Sequence, residues 1–364
     1  MHVMKVTLIA GARPNFMKIA PIIHALKKAM KAGDNIDYAL VHTGQHFDKS
    51  MSGDFFEQLG IPEPNANLAC GGGSQAEQTA NIMVKFEEYL TKNPTDLVLV
   101  VGDVTSAMAC AIVAQKLKTK VAHVEAGIRS GDWSMPEEIN RLVTDSISNY
   151  FFTTTELANE HLVKSGIEKE RIFWVGNTMI DTLLANQVKF MKPVFWDEFD
   201  LKHREYLVMT LHRPANVDEK EQLKGLLSAV EINCGGLPVI FPVHPRTQRN
   251  IDAYNITINQ IKLVSPMSYL EFNYLVEHAK GVITDSGGIT EETMVMGVPC
   301  ITLRDNTERP ETVFLGTNEL IGTNPEAIGP NLKKLLAGQW KKGQIPPLWD
   351  GKTSERIVDC LLKL

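Results

Sequence analysis

The sequence predicts an α/β fold made of two doubly wound domains. Short apolar runs alternate with helical patterns along all 364 residues. Several of the runs are continuously apolar, as expected for strands that are buried on both faces of a parallel sheet. The alternation occurs in two series, and a stretch around 177–202 without a strand pattern separates them. The length of the chain also fits two domains of ordinary size.

The two series give the element order and the domain boundary. The predicted strands cover 4–10, 36–42, 96–102, 120–124, 150–153 and 171–175, and then 206–211, 238–243, 281–284 and 298–303. Helices fill the gaps, for example over 17–30 and 75–89. We therefore predict Rossmann-like domains over 1–177 and 178–353, with a final helix over 354–364 that could pack on the first domain. Such domains are expected to face each other across a cleft at the carboxyl ends of their strands.

Composition and charge exclude several classes of protein. The net charge is −6 and no run of Lys and Arg is present, which argues against a nucleic-acid partner. No apolar stretch approaches the roughly 18 residues of a membrane span. The five cysteines are far apart and odd in number, so free thiols in a reducing compartment are expected. Neither the cysteines nor the ten histidines show metal-ligand spacing. We expect a soluble cytoplasmic protein without a metal.

A Gly-Gly turn after the strand 281–284 predicts a phosphate site. Ser286, Gly287 and Gly288 precede a predicted helix that contains Glu291 and Glu292. The N–H groups and the dipole at such a helix start favour a phosphate, and glycine lets the backbone approach it closely. Glu292 would then lie in the first turn, near a ribose. The alternative is a tight strand-to-helix connection without a ligand.

Basic residues follow other predicted strands. Arg13 lies in Gly11-Ala12-Arg13-Pro14 after the first strand, and Lys18 lies about one turn into the next helix. The first motif lacks the Gly-x-Gly-x-x-Gly pattern, which argues against a nicotinamide enzyme. His212 with Arg213, and His244 with Arg246, each end a strand of the second domain. Each basic residue alone could be solvated, but the two His–Arg pairs beside the Gly-Gly loop are typical of a diphosphate clamp.

Three carboxylates are candidates for acid–base chemistry. Asp103 and Glu125 each follow an apolar strand, where a carboxylate is costly unless it is paired or exposed in a crevice. Asp103 could instead be a turn former, whereas glutamate is a poor cap. Glu137 has a structural alternative, because Ser134 and Glu137 match a capping box and Arg141 could form an ion pair with Glu137.

Taken together, the motifs resemble those of the non-hydrolysing UDP-N-acetylglucosamine 2-epimerases. The resemblance extends over residues 4–325 and is highly specific, because six motifs occur in the right order. They are Gly11-Ala12-Arg13-Pro14, Gly102-Asp103, His123-Val124-Glu125-Ala126-Gly127, Pro136-Glu137-Glu138-Ile139-Asn140-Arg141, Thr284-Asp285-Ser286-Gly287-Gly288 and Thr307-Glu308-Arg309-Pro310-Glu311. The resemblance implies the GT-B architecture, which has two Rossmann-like domains with a nucleotide sugar between them.

The resemblance also implies a set of site residues. The residues expected to be catalytic are Asp103, Glu125, Glu137, Lys18, Arg141 and His212. The residues expected to bind substrate are Arg13, Phe272, Ser286, Gly287, Gly288, Glu292 and Arg309. His244, from the second His–Arg pair at a strand end, is added to them. The implied reaction interconverts UDP-GlcNAc and UDP-ManNAc through loss and re-addition of UDP, without a cofactor. A UDP-sugar as the small-molecule partner and a homodimer are expected.

Two departures from the family pattern leave the substrate open. The chain has His212-Arg213-Pro214-Ala215-Asn216 where the family usually has His-Arg-Arg-Glu-Asn. The segment from His42 to Asp48 resembles forms that also occur in 2-epimerases of UDP-diacetamido-glucuronic acid. That sugar is the alternative substrate. A GT-B glycosyltransferase and a catalytically silent UDP-sugar-binding regulator are further alternatives.

Overall fold

The structure, a computed structural model, describes residues 2–44 and 56–364. The chain divides into two compact units. The first contains Met1–Ala185 and Pro347–Leu364, and the second contains Asn186–Pro346. The boundary therefore lies after Ala185, within the helix Thr178–Asn186, rather than after 177 as predicted. Residues 347–353, which the sequence assigned to the second domain, belong to the first unit.

The first unit is built on a seven-stranded parallel sheet in the order β3-β2-β1-β4-β5-β6-β7. Central strands consist of buried apolar residues, which explains their continuous apolar pattern; Leu8, for example, pairs with Leu40 on one side and Leu99 on the other. The strands are β1 Met4–Ala10, β2 Ile36–His42, β3 Ala66–Asn67, β4 Leu97–Val101, β5 Lys120–Val124, β6 Tyr150–Thr153 and β7 Ile172–Trp174.

Helices cover this sheet, and the last of them comes from the end of the chain. Lys28 of the first helix forms an ion pair of 2.7 Å with Glu355. The carboxylate of Asp181 accepts bonds from the backbone N–H groups of Thr353 and Ser354, at 3.0 and 2.7 Å, and so caps the last helix. The helices are Arg13–Ala32, Gln75–Lys92, Thr105–Lys116, Pro136–Ile147, Glu156–Lys164, Thr178–Asn186 and Thr353–Leu361, with a 3₁₀ turn at Lys169–Arg171.

The second unit repeats this architecture with a six-stranded parallel sheet in the order β10-β9-β8-β11-β12-β13. Its strands are β8 Leu207–Thr210, β9 Val239–Pro242, β10 Ile261–Val264, β11 Gly281–Thr284, β12 Cys300–Thr302 and β13 Asn318–Leu320. Its helices are Phe195–Glu198, Pro214–Val217, Lys220–Asn233, Pro245–Ala253, Tyr269–Glu277, Gly287–Val295, Pro310–Phe314 and Ile328–Leu336, with 3₁₀ turns at Gln187–Lys189 and Pro325–Ala327. The predicted α/β class is confirmed.

Every predicted strand is present, and the three strands that the prediction missed lie at sheet edges. They are β3, β10 and β13. An edge strand has only one hydrogen-bonded neighbour and keeps residues partly exposed, so its apolar pattern is weak; β3 has only two residues.

Two further predictions from the sequence concern the cysteines and membrane spans. Cys70, Cys110, Cys234 and Cys300 are buried free thiols, as expected. Burial raises the pKa of the Cys300 thiol to about 12. Among the described residues, no helix combines the length and the hydropathy that crossing a bilayer requires.

Candidate active site

Each sheet has one point where the strand order reverses, and ligands of doubly wound folds bind there, at the carboxyl ends of the strands. In the first unit this point lies between β1 and β4, and in the second between β8 and β11. The candidate residues follow these strands and their neighbours. Gly102 and Asp103 follow β4, Glu125 follows β5, His212 follows β8, and Asp285 follows β11.

Lys18 and Glu125 form a buried ion pair at the first of these points. Lys18 Nζ lies 2.6 Å from Glu125 Oε2, and the exposed fractions of the two side chains are 14% and 3%. Glu125 has a φ of 67°, a left-handed conformation that is uncommon outside glycine and often marks a functional position. Gly102 has a φ of 68°, and a Cβ there would lie 3.3 Å from Lys18 Nζ and 3.5 Å from Glu125 Oε2. Glycine at 102 therefore leaves room for the pair.

Asn15 holds the loop after β1 against the end of β4. Its Oδ1 accepts bonds from the N–H groups of Gly11 and Ala12, both at 3.2 Å, and its Nδ2 donates to the carbonyl of Val101 at 3.0 Å. Asn15 belongs to the site framework, although no local pattern in the sequence assigned it a role. The side chain of Arg13, which was expected to contact a nucleotide, lies outside the described part of the structure, as do Gln45, His46, Phe47 and Asp48.

Arg141 connects Asp103 to Glu138, which lies on the same helix as Arg141. It donates through Nη2 to Asp103 Oδ2 and through Nη1 to Glu138 Oε2, the latter at 2.6 Å. Burial would raise the pKa of Glu138, but bonds from Ser130, Arg141 and Gly131 hold that pKa below its ordinary value. Since Glu138 is ionised and buried, it fixes Arg141, and Arg141 in turn fixes the Asp103 carboxylate, which remains 30% exposed.

Glu137 is exposed, and the capping box that was its structural alternative does not form. Met135 is the N-cap of the helix Pro136–Ile147, and no side chain caps that helix. Ser134 donates instead to Asp132 Oδ1 at 2.6 Å. The structural alternative for Glu137 therefore loses its main support, and the first-turn position leaves its carboxylate accessible.

A buried network behind these residues was not predicted. His123 on β5 bonds through Nε2 to the carbonyl of Gly102 at 3.0 Å and through Nδ1 to Asp145 at 2.7 Å. Asp145 also accepts from Gly127 N at 3.1 Å and from Arg129 Nη1 at 2.6 Å. In the sequence, His123 stands out as a polar residue within an apolar strand. No local pattern identified Asp145.

Asp285 organises the second unit in a comparable way. Its fully buried carboxylate accepts from the N–H groups of His212 and Arg213 at 3.0 and 2.9 Å, and from Asn216 Nδ2 at 3.2 Å. His212 Nδ1 lies 2.8 Å from the same carboxylate. Burial would raise the pKa of Asp285, but these bonds, led by that of His212, lower it. The sequence placed Asp285 in a motif without giving it a role; the structure makes it the anchor of His212.

The helix Gly287–Val295 begins directly after Ser286, its N-cap. The predicted position of Glu292 in the first turn is wrong, because the helix includes both glycines and places Glu292 in the second turn. Glu292 is buried and accepts a bond of 2.9 Å from the Tyr269 hydroxyl. Burial raises the pKa of Glu292 to about 7. Phe272, on the same helix as Tyr269, is partly buried against the apolar core.

His244 and Arg309 have defined surroundings in this unit. His244 is the N-cap of the helix Pro245–Ala253, and its ring accepts from Arg246 N at 3.2 Å. Partial burial, together with the nearby charges of His212 and Arg246, lowers the pKa of His244. Arg309 donates from Nε to buried Glu291 at 2.9 Å. Within residues 2–44 and 56–364, no cluster of three or more His, Cys, Asp or Glu side chains could hold a metal ion.

Comparisons with known proteins identify one family. The family model described as UDP-N-acetylglucosamine 2-epimerase matches residues 28–362. The UDP-N-acetylglucosamine 2-epimerase of Methanocaldococcus jannaschii is 43% identical, over 98% of this chain and 99% of the relative. The UDP-2,3-diacetamido-2,3-dideoxy-D-glucuronate 2-epimerase of Pseudomonas aeruginosa is 36% identical, over 99% of this chain and 100% of the relative.

Solved structures give the same result. The crystal structure of the M. jannaschii UDP-GlcNAc 2-epimerase in complex with UDP-GlcNAc and UDP matches with a TM-score of 0.88, over 99% of this chain and 100% of the other. A lipopolysaccharide outer core galactosyltransferase matches with a TM-score of 0.56 at 14% identity, which supports the GT-B fold alone. From the family match and the extent of these similarities, the chain belongs to the UDP-N-acetylglucosamine 2-epimerase family.

Proposed function

We propose that this chain interconverts UDP-GlcNAc and UDP-ManNAc by elimination and re-addition of UDP, without hydrolysis. The observation that carries the proposal is the buried Lys18–Glu125 pair of 2.6 Å, which adjoins Gly102 and the Arg141-bound Asp103. It lies at the carboxyl ends of β1, β4 and β5, where a doubly wound sheet binds its ligand. The M. jannaschii relative is described in complex with UDP-GlcNAc and UDP.

The chemistry explains why several carboxylates are needed. The hydrogen on C2 is not acidic, so the anomeric C1–O bond breaks first and UDP leaves with the electron pair. A base then takes the C2 proton, and the C1=C2 double bond of 2-acetamidoglucal forms. In the return step a proton reaches the opposite face of C2, and a UDP oxygen re-forms the bond to C1. Acid–base groups must therefore serve both faces of C2.

We assign the acid–base roles to the first unit. Asp103, Glu125 and Glu137 supply the carboxylates; Lys18 holds Glu125, and Arg141 holds Asp103. The buried Lys18 ammonium holds the Glu125 carboxylate in place and can stabilise negative charge as it develops. No redox step occurs, so no nicotinamide cofactor is required.

We assign the nucleotide to the second unit. The N–H groups at the start of the helix Gly287–Val295, with Ser286 and His212, suit the diphosphate that departs and returns. Glu292 is placed near the ribose, and Phe272 and Arg309 complete the set. Arg13 and His244 are further proposed substrate contacts.

The competing substrate is a UDP-diacetamido-glucuronate, because a 2-epimerase of that sugar is 36% identical to this chain. Proton NMR in deuterated water tests both. With UDP-GlcNAc, the protein should give a mixture of both epimers that carries deuterium at C2, and Glu125→Gln protein should give none. Failure with UDP-GlcNAc but turnover of the diacetamido-uronate would replace the substrate and keep the reaction class.

We also propose a homodimer located in the cytoplasm, with no nucleic-acid partner. The four buried free thiols and the net charge of −6 support a reducing compartment and argue against nucleic acid. Light scattering after gel filtration should give twice the chain mass of 40.5 kDa. A mass that stays at one chain at micromolar concentration would contradict the dimer.

A further inference from the structure

Arg304 is a buried arginine whose hydrogen-bonding capacity is only partly used. It follows β12, and only 3% of the residue is exposed. Its Nη2 donates to Glu308 Oε2 at 2.6 Å and to Asn306 Oδ1 at 3.2 Å. Its Nε and Nη1 are also buried, and neither has a hydrogen-bond partner in the described part of the chain. The guanidinium therefore retains unused donors in a place from which water is largely excluded.

The unused side of Arg304 lies at the start of the helix Gly287–Val295. A Cβ built on Gly287 would lie 3.4 Å from Arg304 Nη1 and 2.5 Å from Glu308 Oε1. Gly287 is the first residue of this nine-residue helix, whose N-cap side chain makes no capping bond. The first-turn N–H groups of a helix lack intrahelical partners, and the dipole places partial positive charge there. The unpaired Nη1 of Arg304 and the first-turn N–H groups of this helix therefore lie close together at Gly287.

Leaving donors of a buried guanidinium unpaired is costly, because the lost hydration is not replaced. Glu308 balances the charge of Arg304 but bonds only to its Nη2. A phosphate oxygen at the helix start would accept from the unpaired Nη1 and from the helix N–H groups at once. A side chain at Gly287 would meet the carboxylate of Glu308, so glycine at this position leaves room for Glu308 beside the Arg304 guanidinium.

We infer that Arg304 binds the diphosphate of the nucleotide directly, as a residue additional to Arg309, and that Glu308 orients it. The inference rests on the proposed nucleotide site in the second unit. Arg309 directs its Nε to Glu291, whereas the unpaired Nη1 of Arg304 lies beside Gly287. The competing interpretation is structural, in which Arg304 only fixes the segment 304–308 through Glu308.

The affinities of UDP, which carries the diphosphate, and of uridine, which does not, distinguish the two interpretations. The variant Arg304→Met keeps an unbranched apolar stem and removes the donors. We expect calorimetry to show UDP affinity reduced about 10- to 100-fold, the usual effect of losing charge-assisted bonds. The affinity of uridine, measured by displacement, should stay unchanged, since it has no phosphate. Equal losses for UDP and uridine, or unchanged UDP affinity, would overturn the inference.

A matched control and a second variant keep the test decisive. Arg204→Met removes another arginine of the same unit, whose Nη1 donates to the carbonyl of Ala279 at 2.6 Å ahead of β8, and it should leave UDP affinity unchanged. If Arg304→Met does not fold, Arg304→Lys decides: it keeps the charge but loses the fork, so UDP binding should weaken about tenfold. Unchanged affinity of a folded Arg304→Lys protein would overturn the inference.

The binding assay also separates this inference from the proposed reaction. Wild-type protein that binds UDP but does not epimerise UDP-GlcNAc would remove the reaction and leave the assignment of Arg304 standing. Wild-type turnover combined with unaltered UDP affinity of the variants would overturn Arg304 alone.

Discussion

The ammonium group of Lys18 lies 2.6 Å from the carboxylate of Glu125, and both side chains are largely removed from solvent. The two residues come from different elements, the first helix and the turn after β5, and only the strand order brings them together. A buried pair of this kind is costly to break from one side, because the remaining charge keeps its desolvation penalty. This relationship leads to the first prediction.

Replacing Lys18 by Met should lower both stability and turnover. The buried Glu125 carboxylate loses its ammonium partner, which costs about 3–5 kcal/mol of unfolding free energy. Urea denaturation and the epimerase assay measure the two effects. Lys28→Met is the matched control, because Lys28 lies on the same helix in an exposed ion pair with Glu355, and it should leave both quantities unchanged. A Lys18→Met protein as stable as the wild type would contradict the buried-pair argument.

Glu137→Gln should remove activity without reducing stability. The side chain is exposed and does not take part in a capping box, so stability should change by less than about 0.5 kcal/mol. Turnover should fall roughly 10²- to 10⁴-fold if Glu137 is an acid–base group. Glu138→Gln, one residue away, should instead destabilise the protein, because it weakens the buried bond to Arg141. An active Glu137→Gln protein would exclude Glu137 from the acid–base chemistry.

The stability of the protein should depend on pH through Glu292. Burial raises the pKa of this group to about 7 from an ordinary value of 4.5, so the folded state favours the neutral acid. Below the ordinary value the group is protonated in both states and has no effect. As the pH rises from about 4.5 to about 7, the unfolded state ionises first, and stability falls by on the order of 3 kcal/mol.

Glu292→Gln tests this dependence. The variant cannot ionise at this position, so the loss of stability between about pH 5 and about pH 8 should be smaller in the variant than in the wild type. Denaturation of both proteins at the two pH values gives their unfolding free energies. Groups that titrate in both proteins contribute equally and cancel when the two pH dependences are subtracted. Identical pH profiles would show that Glu292 is not the group responsible.

Arg309→Ala should weaken UDP binding and destabilise the second unit. The variant removes a buried ion pair with Glu291, so thermal stability should drop even without nucleotide. UDP affinity should fall by about 1.5–3 kcal/mol if the guanidinium also contacts the diphosphate. Calorimetry on folded protein measures the affinity. The control is Arg204→Ala, which removes an arginine of the same unit that donates to the carbonyl of Ala279. Lower stability with unchanged UDP affinity would restrict Arg309 to a structural role.

The sequence by itself determined the repeating βα pattern and the motifs, because these depend on local properties. A buried parallel strand is continuously apolar, and a Gly-Gly pair after such a strand is a local signal, so the central strands and the strand-to-helix junction at Ser286 could be predicted. The edge strands β3, β10 and β13 escaped prediction because an edge is a property of the sheet rather than of the segment. The capping box at Ser134 was a local pattern that the chain does not use.

Tertiary structure alone decided which side chains meet. Strand order places Lys18 beside Glu125, and helix packing brings Asp145 to His123; neither pairing has a local signature. It also decided that Asp285 anchors His212 and that Arg304 lies beside Gly287. The physical reason is that the free energy of a buried charge depends on solvation and on partners distant in sequence, and these exist only once the sheets have formed.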